Sequence, residues 1–578
     1  MSVHPVTVGP TLTVTYDRLR VTDPARWAAA ALTWRRWAAL AGVLCAEFGP
    51  LIEGLRTAWS GAAAEAAVLR LATLRRRLVV FRLLCWRADQ ILSEFAAALT
   101  RARALLDRAR AAAAAAASSG GLGQGGTGPG AGGTSAGLAD AGSGSTGAGT
   151  AGAGSGSAGA GSGSAGAGSA TAGSGRAGAG SATAGSGRAG AGGGRGGAGG
   201  VDLVPGVPGP GAAELGNALR LAASADASAA ARLAELTAIP VAPASDDRPS
   251  CTATPAQVRL WWAALSPGER MWLLGTEPTA FGGLNGIPAA DRDLANRLLL
   301  ADRRDELLRH GGTAGTVQGL DRLADRLADD RGPRAYLMGL DVSGDGRAVV
   351  AFGDPDRAAN VLTHVPGMTS DLASLNGELT RAERVAGRAT DLGPAEATSA
   401  VLWLDYDAPD FLPEASSARQ ARDGAGALRL FQDGLRATHE GAAARQTVLG
   451  HSYGSLVVGE AATGGLDADR VVFVGSPGVG VESAAQLHLP ADRVFASTSI
   501  SDPIQYLAVS PAGAARELVP GLGLAPTEHL WFGHDPSDPA FGAQVFHTQA
   551  DGGHLGYWDP GKPALDALAT ITLGGHPK

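Results

Sequence analysis

The pentapeptide Gly450-His451-Ser452-Tyr453-Gly454 combines residue types and spacing suited to nucleophilic chemistry. It follows the apolar run Thr447-Val448-Leu449 and precedes a helical run over 455–462. A G-x-S-x-G between strand and helix is a nucleophile elbow: the serine occupies a strained turn, and glycines two positions away let strand and helix approach. Gly133-Thr134-Ser135-Ala136-Gly137 matches the same pattern, but no strand precedes it. Context therefore selects Ser452 as the candidate nucleophile.

A serine hydroxyl needs a base, and the base needs an orienting carboxylate. With an elbow of this kind both are expected downstream, acid before histidine. The run RVFASTS (493–499) leads into Ile500-Ser501-Asp502-Pro503, which places Asp502 in the loop after the second strand beyond the elbow. Asp535, in His534-Asp535-Pro536, is the alternative acid; either aspartate could instead be a turn or capping residue. The histidine should follow the last strand, AQVFHTQ (543–549), where Gly552-Gly553-His554 leaves room for His554 to reach back. His547 lies within that run, as a core or surface residue, and Asp551 reads as a solvated loop residue. The oxyanion hole should use the Tyr453 N–H and a second N–H, from Gly367 or Met368, in the loop His364-Val365-Pro366-Gly367-Met368-Thr369-Ser370. A plain strand-ending turn is the alternative for that loop. His529 and His534 form no H-x-x-x-H or H-x-E pattern, so no metal is expected, nor any cofactor.

These residues need a rigid sheet. From Tyr336 the chain alternates short apolar runs with helical ones. YLMGLDV and RAVVAFG flank Ser343-Gly344-Asp345-Gly346, a hairpin signal, and NVLTHV, AVLWLDY, QTVLG, RVVFVG, RVFASTS and AQVFHTQ follow. Near-continuous apolar runs suit strands buried on both faces. The fold class expected is α/β: a doubly wound, mostly parallel sheet of the α/β-hydrolase type at 336–578, preceded by helical regions and a linker.

Upstream, 1–118 reads as a helical hairpin or bundle. Asp23-Pro24 starts one helix, Trp59-Ser60-Gly61 breaks it, and a second Ala/Leu/Arg-rich helix runs to about Ala117. This arrangement, with W-x-G at the bend, resembles the WXG100-like proteins handled by type VII secretion systems; an Ala-rich hairpin with an ordinary core tryptophan is the alternative. Residues 119–212 are Gly/Ala/Ser-rich, with AGSATAGSGRAG twice in succession, and suit a disordered tether. Residues 213–335 return to helical periodicity and are expected to pack on the hydrolase region.

The 578-residue chain is 45% hydrophobic with a net charge of −7. Without a concentrated basic tract it gives no support for nucleic-acid binding. Its three cysteines are too few and too scattered for a disulfide framework. No secretory signal pattern and no unbroken run of about 18 apolar residues occurs, so no transmembrane segment is expected.

Several stretches together are similar to an actinobacterial α/β-hydrolase family catalogued as a domain of unknown function. They are the elbow, VRLWWAALSPGERMWLL (258–274), GGLNGIPAADRDLANR (282–297), the Val-Pro-Gly loop at 365–367, Asp502-Pro503 and GGHLGYWDPG (552–561). The resemblance spans about 258–575 and implies the hydrolase fold with a Ser452–Asp502–His554 triad. It does not supply the reaction. The segment at 285–297 is expected to be a structural helix or partial lid. The function expected is a serine hydrolase cleaving an ester, thioester or amide, most readily a small or lipid-like ester. Alternatively the chain is an effector or partner-binding protein exported by a signal-peptide-independent, type VII-like route, with the N-terminal helices meeting a protein partner. Otherwise the localisation expected is cytoplasmic.

Overall fold

The computed structural model describes residues 16–120, 209, 211–244, 247–329, 331–508 and 529–577. The tether expected at 119–212 lies, apart from its ends, outside the described residues.

The C-terminal half is a mostly parallel sheet. Its strands are β1 (Ala335–Asp341), β2 (Arg347–Phe352), β3 (Asn360–Val365), β4 (Thr398–Leu404), β5 (Arg445–His451), β6 (Arg470–Val474), β7 (Val494–Ser497) and β10 (Gln544–Val545). They are ordered β1-β2-β4-β3-β5-β6-β7-β10. The opening hairpin pairs β1 with β2, and β2 runs antiparallel to β4; every later pairing is parallel. A separate two-stranded hairpin joins β8 (His529–Leu530) to β9 (Gly533–His534). All residues of β3 and β4 are buried, as suits parallel strands covered on both faces.

Helices cover both faces. They include α10 (Leu375–Leu392), α12 (Arg419–Thr438), α13 (Tyr453–Thr463) and α15 (Pro563–Thr572). The main core runs through the sheet and these helices, with Trp403, Phe473, Phe495 and Trp558 among its fully buried side chains.

The last strand is shorter than the sequence suggests. AQVFHTQ pairs only through Gln544 and Val545, opposite Phe495 and Ala496. Beyond them Ser497 Oγ donates to the Phe546 carbonyl at 2.6 Å, so a side chain replaces the ladder at this edge. His547 is exposed and outside the strand.

The N-terminal region is an antiparallel hairpin of α2 (Pro24–Ala58) and α3 (Ala62–Gly120). Asp23 caps α2 with Pro24 at its first position, and Gly61 turns the chain at φ 103°. Trp59, at the bend, is 47% exposed. By length and composition alone, α2 is apolar enough to cross a membrane, and 17% of its most apolar window is buried. Glu47 and Glu53 interrupt the apolar stretch at 37–55 and hide it from a search for unbroken apolar runs.

Between hairpin and sheet lie α4 (Ala212–Glu235), α5 (Pro255–Ala264), α6 (Pro267–Thr276), α7 (Pro278–Phe281), α8 (Ala289–His310) and α9 (Ala314–Ala328). Thr254 and Ser266 close capping boxes on α5 and α6. Helix α8 buries Asp293, Asn296 and Arg297 against β1: Asp293 accepts from Leu337 N, Asn296 donates to Leu337 O and Arg297 to Ala335 O. These contacts tie the segment to β1, the edge strand of the sheet.

Candidate active site

The elbow lies at the C-terminal end of β5, beside the point where the order β4-β3-β5 reverses direction, a usual ligand crevice in open α/β sheets. Ser452 has φ 52° and ψ −129°, a conformation that costs a non-glycine residue about 1–3 kcal/mol. Its neighbours enforce the turn. A Cβ on Gly450 would lie 2.5 Å from Ser455 Cα, and one on Gly454 would strike the carbonyls of Val365 and Pro366. Ser452 N donates to Val474 O at 3.1 Å, tying the elbow to β6.

Asp502 and His554 meet as the sequence suggests. His554 Nδ1 is 2.9 Å from each Asp502 carboxylate oxygen. Asp502 is fully buried and also accepts from Ile504 N at 2.9 Å and from the Tyr557 hydroxyl at 2.7 Å. Burial alone would raise this carboxyl, but the His554 hydrogen bond and charge, with the Tyr557 bond, hold it below its ordinary value. Gly475, at the end of β6, packs under the pair; a Cβ there would lie 2.7 Å from Asp502 Oδ2 and 3.1 Å from His554 Nδ1. No hydrogen bond joins Ser452 Oγ to His554 among the described residues. With Nδ1 taken, Nε2 is the nitrogen left for proton transfer.

Asp535 is occupied elsewhere, accepting from Ser537 N and Oγ at 2.8 and 2.6 Å. Asp551 pairs with Lys562 at 3.3 Å on the surface. The loop after β3 lies against the nucleophile: a Cβ on Gly367 would be 2.6 Å from Ser452 Cβ. Thr369 N is already committed to Pro409 O at 2.8 Å, whereas the N–H groups of Gly367 and Met368 have no acceptor among the described residues. Tyr406 Oη donates to Pro366 O at 2.7 Å and fixes the loop. Tyr453 begins α13, so its N–H is one of the donors a helix start leaves unpaired. Its phenol, pushed up to about 12 chiefly by burial, donates to Ser417 O at 2.5 Å.

Two supporting residues escape sequence reasoning. Tyr557 Oη joins Asp502 to Ser499 N, which donates to it at 3.0 Å. Burial and the Asp502 charge push this phenol up, so it stays a proton donor. The only available signal was its place three residues after His554. His451, inside the motif, is buried with Nε2 2.9 Å from the His554 carbonyl. Burial and the neighbouring His554 push it well below the ordinary histidine value. The neutral ring therefore donates from Nε2 and anchors the loop that carries His554.

The comparisons agree with this architecture. Residues 341–511 match a family model described as alpha/beta hydrolase. Two uncharacterized proteins of Mycobacterium tuberculosis, strains CDC 1551 / Oshkosh and ATCC 25618 / H37Rv, are 32% identical over 371 residues, covering 55% of this chain and 55% of each relative. The chain thus spans about half the length of these two curated relatives. An uncharacterized protein of Mycobacterium bovis is 32% identical over 229 residues, 35% of this chain and 86% of the relative. No solved structure matches the chain.

Proposed function

Since the chain belongs to the α/β-hydrolase family, we propose that it is a serine hydrolase acting on an ester through an acyl-enzyme. One observation carries the reading: His554 Nδ1 is held by a buried carboxylate while Ser452 is presented on a strained turn at the same sheet edge. Ser452 Oγ attacks the acyl carbon as His554 Nε2 takes its proton, and Asp502 fixes the tautomer and supports the imidazolium. The tetrahedral oxygen is held by the N–H of Tyr453 and that of Gly367 or Met368. Collapse expels the alcohol, protonated by His554. Water, activated by the same histidine, then releases the acid and restores Ser452. Thioesters and amides follow the same route, amides needing more leaving-group activation.

The test is labelling of the full chain with a fluorophosphonate. Wild type should be labelled, and Ser452→Ala and His554→Ala should not be. Equal labelling of folded Ser452→Ala would overturn the assignment.

A second reading concerns the N-terminal hairpin. Along α2, Trp37, Leu40, Val43, Leu44 and Leu51 are all exposed, an apolar face unusual for a finished surface. It favours a module of the WXG100-like kind that docks a helical protein partner, with export by a type VII-like route. Fractionation of cells carrying such a system tests it: protein confined to the cytoplasm would count against export.

A further inference from the structure

We infer that the β8–β9 hairpin and the loop after β6 together form a divalent metal site of the zinc class, with Glu482, His529 and His534 as ligands. One donor atom from each residue lies within 4.8 Å of the other two. His529 Nδ1 is 3.5 Å from Glu482 Oε2. That matches the separation, roughly 3.4 Å, between adjacent ligands of a tetrahedral ion with bonds of about 2.1 Å. Two imidazoles and one carboxylate are the borderline donor set that suits zinc.

His534 gives the independent indication. It is 8% exposed, and its Nε2 is buried without a hydrogen bond. The nearest carboxylate, Asp538 Oδ1, is 3.5 Å from that nitrogen. A buried ring nitrogen left unsatisfied costs free energy. A metal on this nitrogen would give it the partner it lacks.

The backbone already brings the two segments together. Gly480 N donates to Phe532 O at 2.8 Å, and Phe532 N to Pro477 O at 3.2 Å. Gly533 adopts φ 98°, and a Cβ on it would lie 2.6 Å from Val481 O. The Phe532 ring meets Tyr453 edge-on, with centroids 6.1 Å apart. A metal here would therefore clamp the wall that packs against the residue after Ser452. Sequence spacing hides the site because Glu482 arrives from a different loop.

The experiment is zinc binding by equilibrium dialysis of the untagged full chain, with thermal denaturation in parallel. Glu482 and His529 are exposed, so Glu482→Gln and His529→Ala spare the fold. Exposed His547→Ala serves as the control. Wild type and His547→Ala should bind one zinc per chain and melt at higher temperature with it. Glu482→Gln and His529→Ala should bind at least about tenfold more weakly and lose the thermal shift. No zinc on wild type, or equal binding by all four proteins, would overturn the site. Neither readout depends on ester turnover, so this inference can fail while the hydrolase reading stands, and the reverse.

Discussion

The two ends of the parallel strands both bury charge, but they complete it differently. At the C-terminal end Asp502 is matched by His554, Tyr557 and Ile504 N. The chain of bonds then stops, leaving His554 Nε2 and the Ser452 hydroxyl without partners among the described residues. At the opposite end α2, α3 and α8 meet β1 around a network of ion pairs. Asp89 pairs with Arg35 at 3.1 Å and with Arg334; Asp293 pairs with Arg297 at 2.8 Å and with Arg334 at 3.2 Å. A cavity of about 980 Å³ opens beside this network, lined by Glu94, Arg232, Tyr336 and Arg357 and by none of the candidate catalytic residues. Cavity size thus points away from the chemistry, while the Asp502–His554 pair beside the strained Ser452 turn points toward it. A network of ion pairs holds elements together; an open-ended one keeps proton capacity for a substrate.

The most decisive attempt to break this contrast removes Ser452. Ser452→Ala should lower turnover of an activated ester by about 10³-fold or more while leaving the melting temperature nearly unchanged. A large loss of stability with modest loss of turnover would mean that this end, too, is structural.

The converse applies to Asp89, which is fully buried between two guanidinium groups. Asp89→Ala removes a carboxylate partner from both cations and should cost about 3–5 kcal/mol in denaturant unfolding. The fraction that remains folded should turn over ester at the wild-type rate. Unchanged stability would show that hairpin and sheet are not joined through this network.

Tyr557 sharpens the comparison because it gives Asp502 a second side-chain partner, as Asp89 has in the ion-pair network. Tyr557→Phe removes a hydrogen bond to a charged group and should lower kcat/KM about tenfold. The sign of its pH effect follows from Asp502. A carboxyl held below its ordinary value contributes stability above that value and loses it as pH falls through the folded-state pKa. Without Tyr557 that pKa rises, so acid unfolding should begin at higher pH. An unmoved acid transition would reduce Tyr557 to packing.

What was legible in the sequence follows the same division. The elbow, Asp502 and His554 were readable because each follows a strand, in an order along the chain that the elbow itself dictates. The apolar runs also marked the eight strands of the sheet, apart from the true length of the last. Tyr557, Glu482 and the Asp89 network were not readable, because their partners arrive from remote segments. Glu482 and His529 belong to different loops, and Asp89 meets Arg334 from the other side of the tether region. The apolarity of α2 was missed for another reason: Glu47 and Glu53 interrupt it, so it does not form one run.

The smallest effect expected, and the one that separates the two ends by sign, concerns Asp356. It is buried at the N-terminal end, accepting from Ala289 N at 2.6 Å and from Thr438 Oγ1 at 2.5 Å. Burial dominates here and pushes its carboxyl up to about 6, the reverse of Asp502. A raised carboxyl contributes stability that is fully present below its unfolded value, roughly 4, and is lost as pH rises through about 6. Asp356→Asn keeps an acceptor for Ala289 N and cannot ionise. It should therefore flatten the stability profile between about pH 4 and 6, with a net change at neutral pH within about 1 kcal/mol. Urea unfolding of both proteins across that window reads the difference. A variant profile that still falls as steeply as wild type would mean that Asp356 is ionised throughout, held by its two donors as Asp502 is held by its own.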